Sequence, residues 1–502
     1  MQSSGNKQPS KGSRATIPVY RRVPPELWEA IFLPLCSSQT EYSLSVDFAE
    51  LPHSQTVMMV PLALSQVCRL WRAIVDQCPV LWSSISLELF QIPWATRTII
   101  QKFLVKAFGH PLNIRISSRV DSRDLAPHTP DLVTAYLLQD RIFIERLTLD
   151  VPDYQFLHKL LVRPVFFGLK YISFERGMPD IPWIKAVLKD ASKLTELRIR
   201  AIDSDFDEDT VPMIPFDRLT SFTIEWLNEE DIEDFIPILG VMKNLRCLTL
   251  GCSADEEALT LFRSVPIVET KFLDTLIIDN YHGAPPSLNG HLFSVLFKSL
   301  VAPSLRTFKL LCSDSDPDDN LWPTHLTEFL RRSSASLQTF ALSIRPCYGH
   351  IGRPVSEVLA LVPRLKRFDL LVEGRHGMDD MEREVYRGFV EQLVSTLLSD
   401  LRRPEMVPDL ESLSLRIGDI DLGPHLAQGI LQLAKSRKAG AVAPTLGGLR
   451  SLRWIKFVGL MSRPSQRVVL GSVTVQDIEK LRKEGIQVTI EERNCAGVID
   501  FE

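Results

Sequence analysis

Apolar residues recur along most of this chain in a pattern Φ-x-x-Φ-x-Φ, where Φ is apolar and x is mostly polar. The segments that carry it are IERLTLD (144–150), LKYISFE (169–175), LTELRIR (194–200), LTSFTIE (219–225), LRCLTLG (245–251), LDTLIID (273–279), LRTFKLL (305–311), LQTFALS (337–343), LKRFDLL (365–371), LESLSLR (410–416) and LRWIKFV (452–458). Alternation of apolar and polar positions within each segment predicts a β-strand with one buried face. The first units repeat about every 25 residues, a length typical of strand–helix repeats.

Amphipathic helical patterns lie between these predicted strands. Apolar residues at i, i+3, i+4 and i+7 form one stripe in each of the segments 184–191, 232–239 and 355–362. A unit of one strand and one helix cannot close a core alone, whereas stacked units bury their apolar faces against each other. The predicted fold is therefore α/β: a curved solenoid with parallel strands inside and helices outside.

A doubly wound sheet also alternates strands and helices and is the main alternative fold. No glycine-rich phosphate loop follows any predicted strand. The strands are also half polar, whereas strands buried on both faces are nearly continuous apolar runs. Both observations favour the solenoid.

The start of the chain predicts a bundle of three short helices. Pro24 and Pro25 suit the first turn of a helix in which Leu27, Ile31 and Leu35 share a face. The second apolar stripe is Leu64, Val67, Cys68, Trp71, Ile74 and Val75, and a third helix near Pro79 carries Leu81 and Trp82. A bundle of this size buries its own apolar surface poorly, so we expect a partner or the next domain to complete it.

The segments VPPELWEAIF, LSQVCRLWRAIV and CPVLWSSI, in this order, resemble an F-box of the kind common in fungal proteins. The repeats resemble the leucine-rich-repeat superfamily. Together these resemblances imply a substrate-recognition subunit of a Skp–cullin–F-box type E3 ubiquitin ligase. The F-box would bind a Skp-type adaptor, and through it a cullin, while the solenoid would bind an unknown protein target. The resemblance assigns to the adaptor interface or its supporting core the residues Pro24, Pro25, Leu27, Ile31, Val67, Cys68, Trp71, Leu81 and Trp82.

A second interpretation stays open. The chain could be a non-degradative leucine-rich-repeat scaffold for protein interactions, in which the N-terminal helices only cap the repeat array.

The predicted domain boundaries follow these patterns. Residues 1–18 form a disordered tail, and residues 19–87 form the F-box with a long internal loop at 36–60. Residues 88–140 supply joining helix and strand units and an N-terminal cap, residues 141–460 the solenoid, and residues 461–502 a C-terminal capping unit and tail. The helix and strand predicted at 475–492 would close the last edge of the array.

Candidate chemistry is sparse. No phosphate-binding, serine-hydrolase or zinc-protease motif occurs, and the acidic runs lack the glycine and glutamate of a calcium loop. We therefore expect no catalytic residue, no metal site and no cofactor. The eight cysteines include no Cys-x-x-Cys pair, which favours free thiols in the cytoplasm or nucleus. The net charge of -5 argues against nucleic-acid binding, and no apolar run is long enough to span a membrane.

Target contacts are expected on the polar side of the strands. The candidates there are Arg198, Arg200, Glu225, Lys309, Arg367, Asp369 and Arg416. Acidic runs also follow several strands, and the first of them contributes Asp205, Asp207 and Asp209. These acids form either a negative rim that attracts a basic target or simply solvated loops that keep the array soluble.

Overall fold

The computed structural model describes residues 23–37, 44–48, 55–88, 94–118, 143–151, 166–176, 187–188, 191–201, 215–227, 229–252, 265–279, 293, 295–311, 321–344, 352–372, 380–403, 406–418, 429–430, 432–437, 452–461, 479–480, 482–483 and 486–494. The chain divides into two compact units, Met1–Leu169 and Lys170–Glu502. Among the helices described, none has the length and apolar content needed to cross a membrane.

The first unit combines short helices with a small sheet. Its helices are α1 (Pro25–Ser37), α2 (Val60–Val67), α3 (Arg69–Gln77) and α4 (Trp94–Lys106), with a 3-10 helix at Pro79–Trp82. Its strands are β1 (Leu44–Phe48), β2 (Gln55–Met59), β3 (Ser84–Glu88), β4 (Leu112–Ser117) and β5 (Ile144–Asp150). The sheet order is β5-β4-β3-β1-β2, with every pair parallel except β1 and β2.

Two predictions for the first unit are wrong in detail. The predicted loop at 36–60 contains the end of α1 and the antiparallel pair β1 and β2. The predicted apolar stripe of the second helix is divided at Cys68, whose backbone is extended and which caps α3. The Cys68 sulfur accepts a hydrogen bond from the Trp71 N–H at 3.5 Å, so a new helix starts there.

The second unit is dominated by one parallel sheet. Its strands are β6 (Tyr171–Phe174), β7 (Glu196–Ala201), β8 (Ser221–Leu227), β9 (Cys247–Cys252), β10 (Val268–Glu269), β11 (Thr275–Asp279), β12 (Leu300–Val301), β13 (Thr307–Leu311), β14 (Thr339–Ile344), β15 (Arg367–Val372), β16 (Ser412–Gly418), β17 (Trp454–Met461) and β18 (Gln487–Asn494). Among its described helices are α5 (Glu229–Val241), α6 (Leu321–Ser333), α7 (Gly352–Ala360) and α8 (Asp380–Asp400), with 3-10 helices at Phe216–Arg218 and Ser334–Ser336. Strands β10 and β12 form a separate parallel pair.

Strand order in this sheet follows chain order from β6 to β18, apart from the separate pair. A doubly wound sheet would instead reverse its order at a switch point, so that alternative is wrong. The Phe235 ring on α5 stacks on Phe222 of β8 with centroids 6.0 Å apart, and Phe329 on α6 lies 5.7 Å from Phe308 of β13. These helices therefore cover the apolar face of the strands, as the repeat pattern predicts.

The predicted helical stripes have mixed outcomes. The stripe in α5 is confirmed, because Ile232, Phe235, Ile236 and Leu239 are all buried. Likewise Val355, Val358, Leu359 and Val362 are buried, although α7 ends at Ala360. In the segment 184–191 the structure describes a helical backbone only at 187–188. The C-terminal strand prediction is confirmed by β18, which pairs in parallel with β17.

The nine repeats that start from Leu169 to Leu410 begin with the same backbone turn. The first apolar residue of the pattern is buried, and its N–H donates to the carbonyl three residues earlier, as from Leu245 to Met242 at 3.1 Å. The carbonyl of the next residue then accepts two N–H groups from the following repeat, as Arg246 does from Asp274 and Thr275, both at 2.9 Å. We call this acceptor the shared carbonyl. It belongs to Lys170, Thr195, Thr220, Arg246, Asp274, Arg306, Gln338, Lys366 and Glu411.

A row of phenylalanines runs through the core at the second apolar position. The Phe308 and Phe340 rings stack with centroids 5.5 Å apart, and Phe340 and Phe368 stack at 5.7 Å. In register with them, β11 carries Leu276 and β16 carries Leu413. All five side chains are fully buried, so either residue type fits this position when its neighbours match.

A buried arginine fixes the segment after α8. The Arg437 side chain is 1% exposed and donates to the carbonyls of Leu401, Met406 and Val407 at 2.9, 2.6 and 3.0 Å. Burial lowers the pKa of Arg437 to about 10. Val407 has a positive φ of 41°, a left-handed conformation that is unfavourable for a β-branched residue. The hydrogen bond to Arg437 helps to hold it there.

The phenylalanine row predicts how the central repeats respond to truncation. We expect Phe340→Ala to lower the free energy of unfolding by about 3–5 kcal/mol, because it removes a buried ring between two others. Phe340→Leu should cost less, about 1.5 kcal/mol or under, since leucine occupies the same position in β11 and β16. Urea denaturation followed by circular dichroism measures both, and equal losses for the two variants would contradict the stacking argument.

Candidate functional site

The inner side of α1 closes the core of the helical head, which consists of α1, α2, α3 and the 3-10 helix Pro79–Trp82. The Trp28 and Phe32 rings on α1 both contact Trp71 on α3, with centroids 5.2 and 4.8 Å apart. Phe32 is 1% exposed, while Trp71 is half-buried. Trp71 therefore holds α1 against α3, and a change at Trp71 would disturb the head itself.

The structure divides the predicted adaptor residues between core and surface. Leu81 and Trp82 are fully buried. The indole N–H of Trp82 donates to the Val75 carbonyl at 2.8 Å, and its ring packs edge-on against Phe103 of α4 at 4.9 Å. Both residues thus belong to the supporting core and are unavailable to a partner.

The remaining predicted adaptor residues lie at or near the surface. Pro24 and Pro25 are exposed, and Cys68 is half-buried. Leu27 is 55% exposed, Ile31 52% and Val67 60%, large values for apolar side chains in a folded head.

The exposed apolar surface of α1 continues beyond the predicted set. Leu35 is 44% exposed and lies one helical turn after Ile31, so Leu27, Ile31 and Leu35 form one stripe, the outer stripe of α1. Leu33 is also exposed. The i, i+4 spacing already places Leu35 on this face in the sequence, although it was not among the predicted adaptor residues, whereas no comparable signal identifies Leu33.

Thiols in the head differ in their surroundings. Cys36 and Cys78 are buried and Cys68 is half-buried, and none of the three forms a disulfide. Burial raises the pKa of Cys36 to about 12, with a further contribution from Cys78. Thiolate chemistry is therefore suppressed at Cys36.

The second unit presents a sheet face opposite its apolar face. We call it the polar face. It consists of the first, third and fifth residues of each strand, counted from ten residues that pair with one another across the sheet: Tyr171, Glu196, Ser221, Cys247, Thr275, Thr307, Thr339, Arg367, Ser412 and Trp454. On β11 and β13 these positions are half exposed, whereas on β14 to β16 most of them are buried.

One predicted group of target-binding residues comes together on β7 and β8. The Arg198 Nε donates to Glu225 Oε1 at 2.7 Å. Burial lowers the pKa of Arg198, but its ion pair with Glu225 outweighs that effect, so the net shift is upward. The Arg200 guanidinium lies 4.0 Å from the Trp226 ring centroid, a cation–π contact. These three predicted residues therefore form one charged cluster.

A second predicted group gathers around Asp369. Its Oδ2 accepts a hydrogen bond from Arg367 Nε at 2.8 Å, and its side chain is 6% exposed. Burial raises the pKa of Asp369, although the nearby cations Arg367, Arg416 and Lys309 act in the opposite direction. Four predicted target-binding residues thus share one electrostatic environment. The other carboxylate oxygen, Oδ1, is buried without a hydrogen-bond partner in the structure.

The predicted acidic rim is only partly described. Asp205, Asp207 and Asp209 lie outside the described residues. Another acidic run that follows a strand, at 228–234, is largely helical, because α5 begins at Glu229. The run at 378–384 similarly overlaps the start of α8 at Asp380. These two runs therefore belong in part to helices rather than to loops.

Strands β8 and β9 approach each other closely beside Glu225 on the polar face. The register between β8 and β9 shifts between Ile224 and Leu227. A Cβ atom on Gly251 would lie 1.8 Å from the Glu225 carbonyl oxygen. Only glycine therefore allows β9 to approach β8 at this irregularity.

Comparisons with known proteins find similarity among solved structures. No protein-family model matches the sequence, and a search of curated proteins finds no match. Among solved structures the chain is similar to the leucine-rich repeat-containing protein LegL7 from Legionella pneumophila, with a TM-score of 0.35 and 10% identity over 80% of this chain and 98% of that chain. Within the described residues, no group of three or more His, Cys, Asp and Glu side chains is placed to hold a metal ion.

The close approach at Gly251 gives a direct test of this strand geometry. We expect Gly251→Ala to lower the free energy of unfolding by about 1–3 kcal/mol, because the new methyl group collides with backbone. Gly388→Ala on the exposed side of α8 is the matched control. A Cβ there meets nothing within 4 Å, so alanine should stabilise the protein by up to about 1 kcal/mol. A neutral Gly251→Ala variant would contradict the geometry.

Proposed function

We propose that this protein is the substrate-recognition subunit of a Skp–cullin–F-box type ubiquitin ligase. The helical head would bind the Skp-type adaptor, and the second unit would hold the protein to be ubiquitinated. The role requires no catalytic residue in this chain, because a receptor acts by raising the local concentration of target beside the ubiquitin carrier.

The outer stripe of α1 is the observation that carries the proposal. The inner side of the same helix is already packed on Trp71, so the outward Leu27, Ile31 and Leu35 are not needed to close the head. Removing one such side chain from water contributes about 1.5–3 kcal/mol when burial is complete. A stripe of three therefore offers enough apolar surface to anchor a helical partner.

The order of the sequence segments supports the choice of partner. The stripe follows the Pro-Pro start of the first segment that resembles an F-box. Val67, which precedes Cys68 in the second such segment, LSQVCRLWRAIV, is also exposed. The parallel repeat sheet of the second unit supports protein binding, since stacked repeats present extended surfaces.

Adaptor capture tests the proposal. We expect the full chain to bind a purified Skp-type adaptor, and Leu27→Glu combined with Ile31→Glu to weaken binding by about a hundredfold or more, because two charges would enter an apolar interface. Both positions are more than half exposed, so the folded head should tolerate the change. Isothermal titration calorimetry measures the affinities, and circular dichroism verifies folding.

A matched control separates the outer stripe from general surface effects. Val105→Glu on α4 places the same charge at another exposed apolar position of the first unit, where Val105 is 73% exposed. Adaptor affinity should be unchanged in this variant. Absence of any complex with the unmodified chain would overturn the proposal and favour the scaffold interpretation.

A further inference from the structure

The turns that begin the central repeats are rich in basic residues. Each turn starts three residues before the first leucine of its repeat and ends at the shared carbonyl, which gives the ranges 242–246, 270–274, 302–306, 334–338 and 362–366. The charged residues of these five turns are the single acid Asp274 and the bases Lys243, Arg246, Lys271, Arg306, Arg364 and Lys366. The chain as a whole carries a net charge of -5, so this excess of positive charge is local.

These basic side chains are accessible and are not neutralised by neighbours. Lys366 is half-buried, and the other five are exposed. Among the residues that the structure describes, none of the six side chains makes a salt bridge or a hydrogen bond. Asp274 is half-buried, and its Oδ1 accepts a hydrogen bond from the Thr275 hydroxyl at 2.9 Å. The turns therefore present uncompensated positive charge to solvent.

Backbone pairing holds the five turns at the same level of five neighbouring strands. The shared carbonyl joins each turn to the next, and side chains add further bonds between turns. The Ser304 hydroxyl donates to the Lys271 carbonyl at 2.6 Å, and the Ser336 hydroxyl donates to the Pro303 carbonyl at 3.0 Å. Strands lie about 4.8 Å apart, so the row of five turns extends over roughly 19 Å. We call this row the basic edge.

Three apolar side chains are exposed at the first two turns of the basic edge. Val241, the last residue of α5, is 46% exposed, Ile267, just before β10, is 69% exposed, and Phe272 in the second turn is 58% exposed. The end of α5 packs on β10, because a Cβ atom on Gly240 would lie 3.7 Å from the Val268 side chain. That contact brings the segments of Val241 and Ile267 together. We call the three exposed side chains the apolar patch.

We propose that the basic edge and the apolar patch bind the surface of an anionic lipid bilayer. Lys243, Arg246 and Lys271 would contact the anionic headgroups, because they lie in the same two turns as the patch. Ile267 and Phe272 would enter the boundary between headgroups and acyl chains. The inference goes beyond the proposed function and does not rest on it, since it concerns where the protein is held rather than what it recognises.

A bilayer fits this surface better than a nucleic acid. The aliphatic side chains of Val241 and Ile267 cannot stack on bases, and Phe272 is the one aromatic residue in the sequence of the five turns. Single-stranded nucleic acids are usually bound by several stacking rings. Apolar side chains bordered by lysine and arginine are instead typical of surfaces that lie in a membrane interface.

Vesicle co-sedimentation of the full chain tests the inference. The probes are vesicles of phosphatidylcholine and phosphatidylserine in a ratio of about 7:3 and vesicles of phosphatidylcholine alone. We expect the protein to sediment with the phosphatidylserine vesicles at low salt and to be released as salt increases, because screening weakens the attraction. It should stay in the supernatant with phosphatidylcholine alone.

Two matched pairs of variants assign the binding to the basic edge and the apolar patch. Lys271→Glu should weaken vesicle binding about tenfold, whereas Lys102→Glu, at an exposed position of α4 in the first unit, should leave it unchanged. Phe272→Ser should also weaken binding about tenfold while the salt dependence is retained, since it removes apolar insertion and no charge. Phe108→Ser, where the ring is 79% exposed in the first unit, is its control and should bind normally.

A third change should strengthen binding. Glu269 is exposed on β10, between the patch residues Ile267 and Phe272 in sequence. Glu269→Gln removes a negative charge that would face the anionic headgroups, so we expect several-fold tighter binding to the phosphatidylserine vesicles. A misfolded protein would not gain affinity together with the same salt dependence, so this result is specific to the proposed surface.

The results separate this inference from the adaptor proposal. Failure to sediment with the phosphatidylserine vesicles, equal sedimentation with phosphatidylcholine alone, or unchanged binding of Lys271→Glu or Phe272→Ser would overturn it. Tighter binding of a single-stranded RNA of mixed sequence, lost in Lys271→Glu, would assign the basic edge to nucleic acid and would also overturn it. Adaptor capture depends on the outer stripe of α1 and is measured without vesicles.

Discussion

The shared carbonyl is the interaction on which the second unit depends. One main-chain oxygen per repeat accepts two N–H groups from the next repeat, from Lys170 through Glu411. Because both partners are backbone atoms, the contact places few demands on the side chains at those positions, which include Lys, Thr, Arg, Asp, Gln and Glu. The repeats can therefore differ in length and in their polar residues while the strand starts stay in register. A buried leucine before each acceptor supplies the apolar anchor for the same turn.

Because backbone atoms make the contact between repeats, the residue types on the polar face can differ from one repeat to the next. The apolar positions of the strands are committed to the core, where the phenylalanine row and the helices lie. The positions between them are not needed for stacking, and they carry the Arg198–Glu225 pair near one end and the Asp369 cluster near the other. The helical head follows the same principle with α1, whose inner side is occupied by Trp71 while its outer stripe remains exposed.

Periodicity predicted the repeat strands well because each strand buries a fixed alternation of side chains. It predicted the α5 stripe because a helix buries side chains at the fixed spacing i, i+3, i+4 and i+7. It failed where a short-range feature determined the backbone: the cap at Cys68 interrupts a continuous apolar stripe, and strands β1 and β2 form in a segment without repeats. For the binding surfaces, residue type identified the candidates. Only three-dimensional packing could show that Trp82 is buried in the core while Leu27 is exposed. The gathering of Lys309, Arg367, Asp369 and Arg416 depended on register across β13 to β16, which no single repeat contains.

The three-carbonyl site of Arg437 has a consequence for how this part of the chain opens. Arg437 lies in the helical stretch 432–437, whereas its acceptors follow α8 in sequence. Detaching that stretch would remove the Arg437 donors of three buried carbonyls at once, leaving the Val407 carbonyl only its hydrogen bond from the Leu410 N–H. Gradual fraying is therefore disfavoured, and the two segments should behave as one cooperative foldon. Lysine could not substitute, because its compact ammonium cannot reproduce the planar fork that reaches all three oxygens.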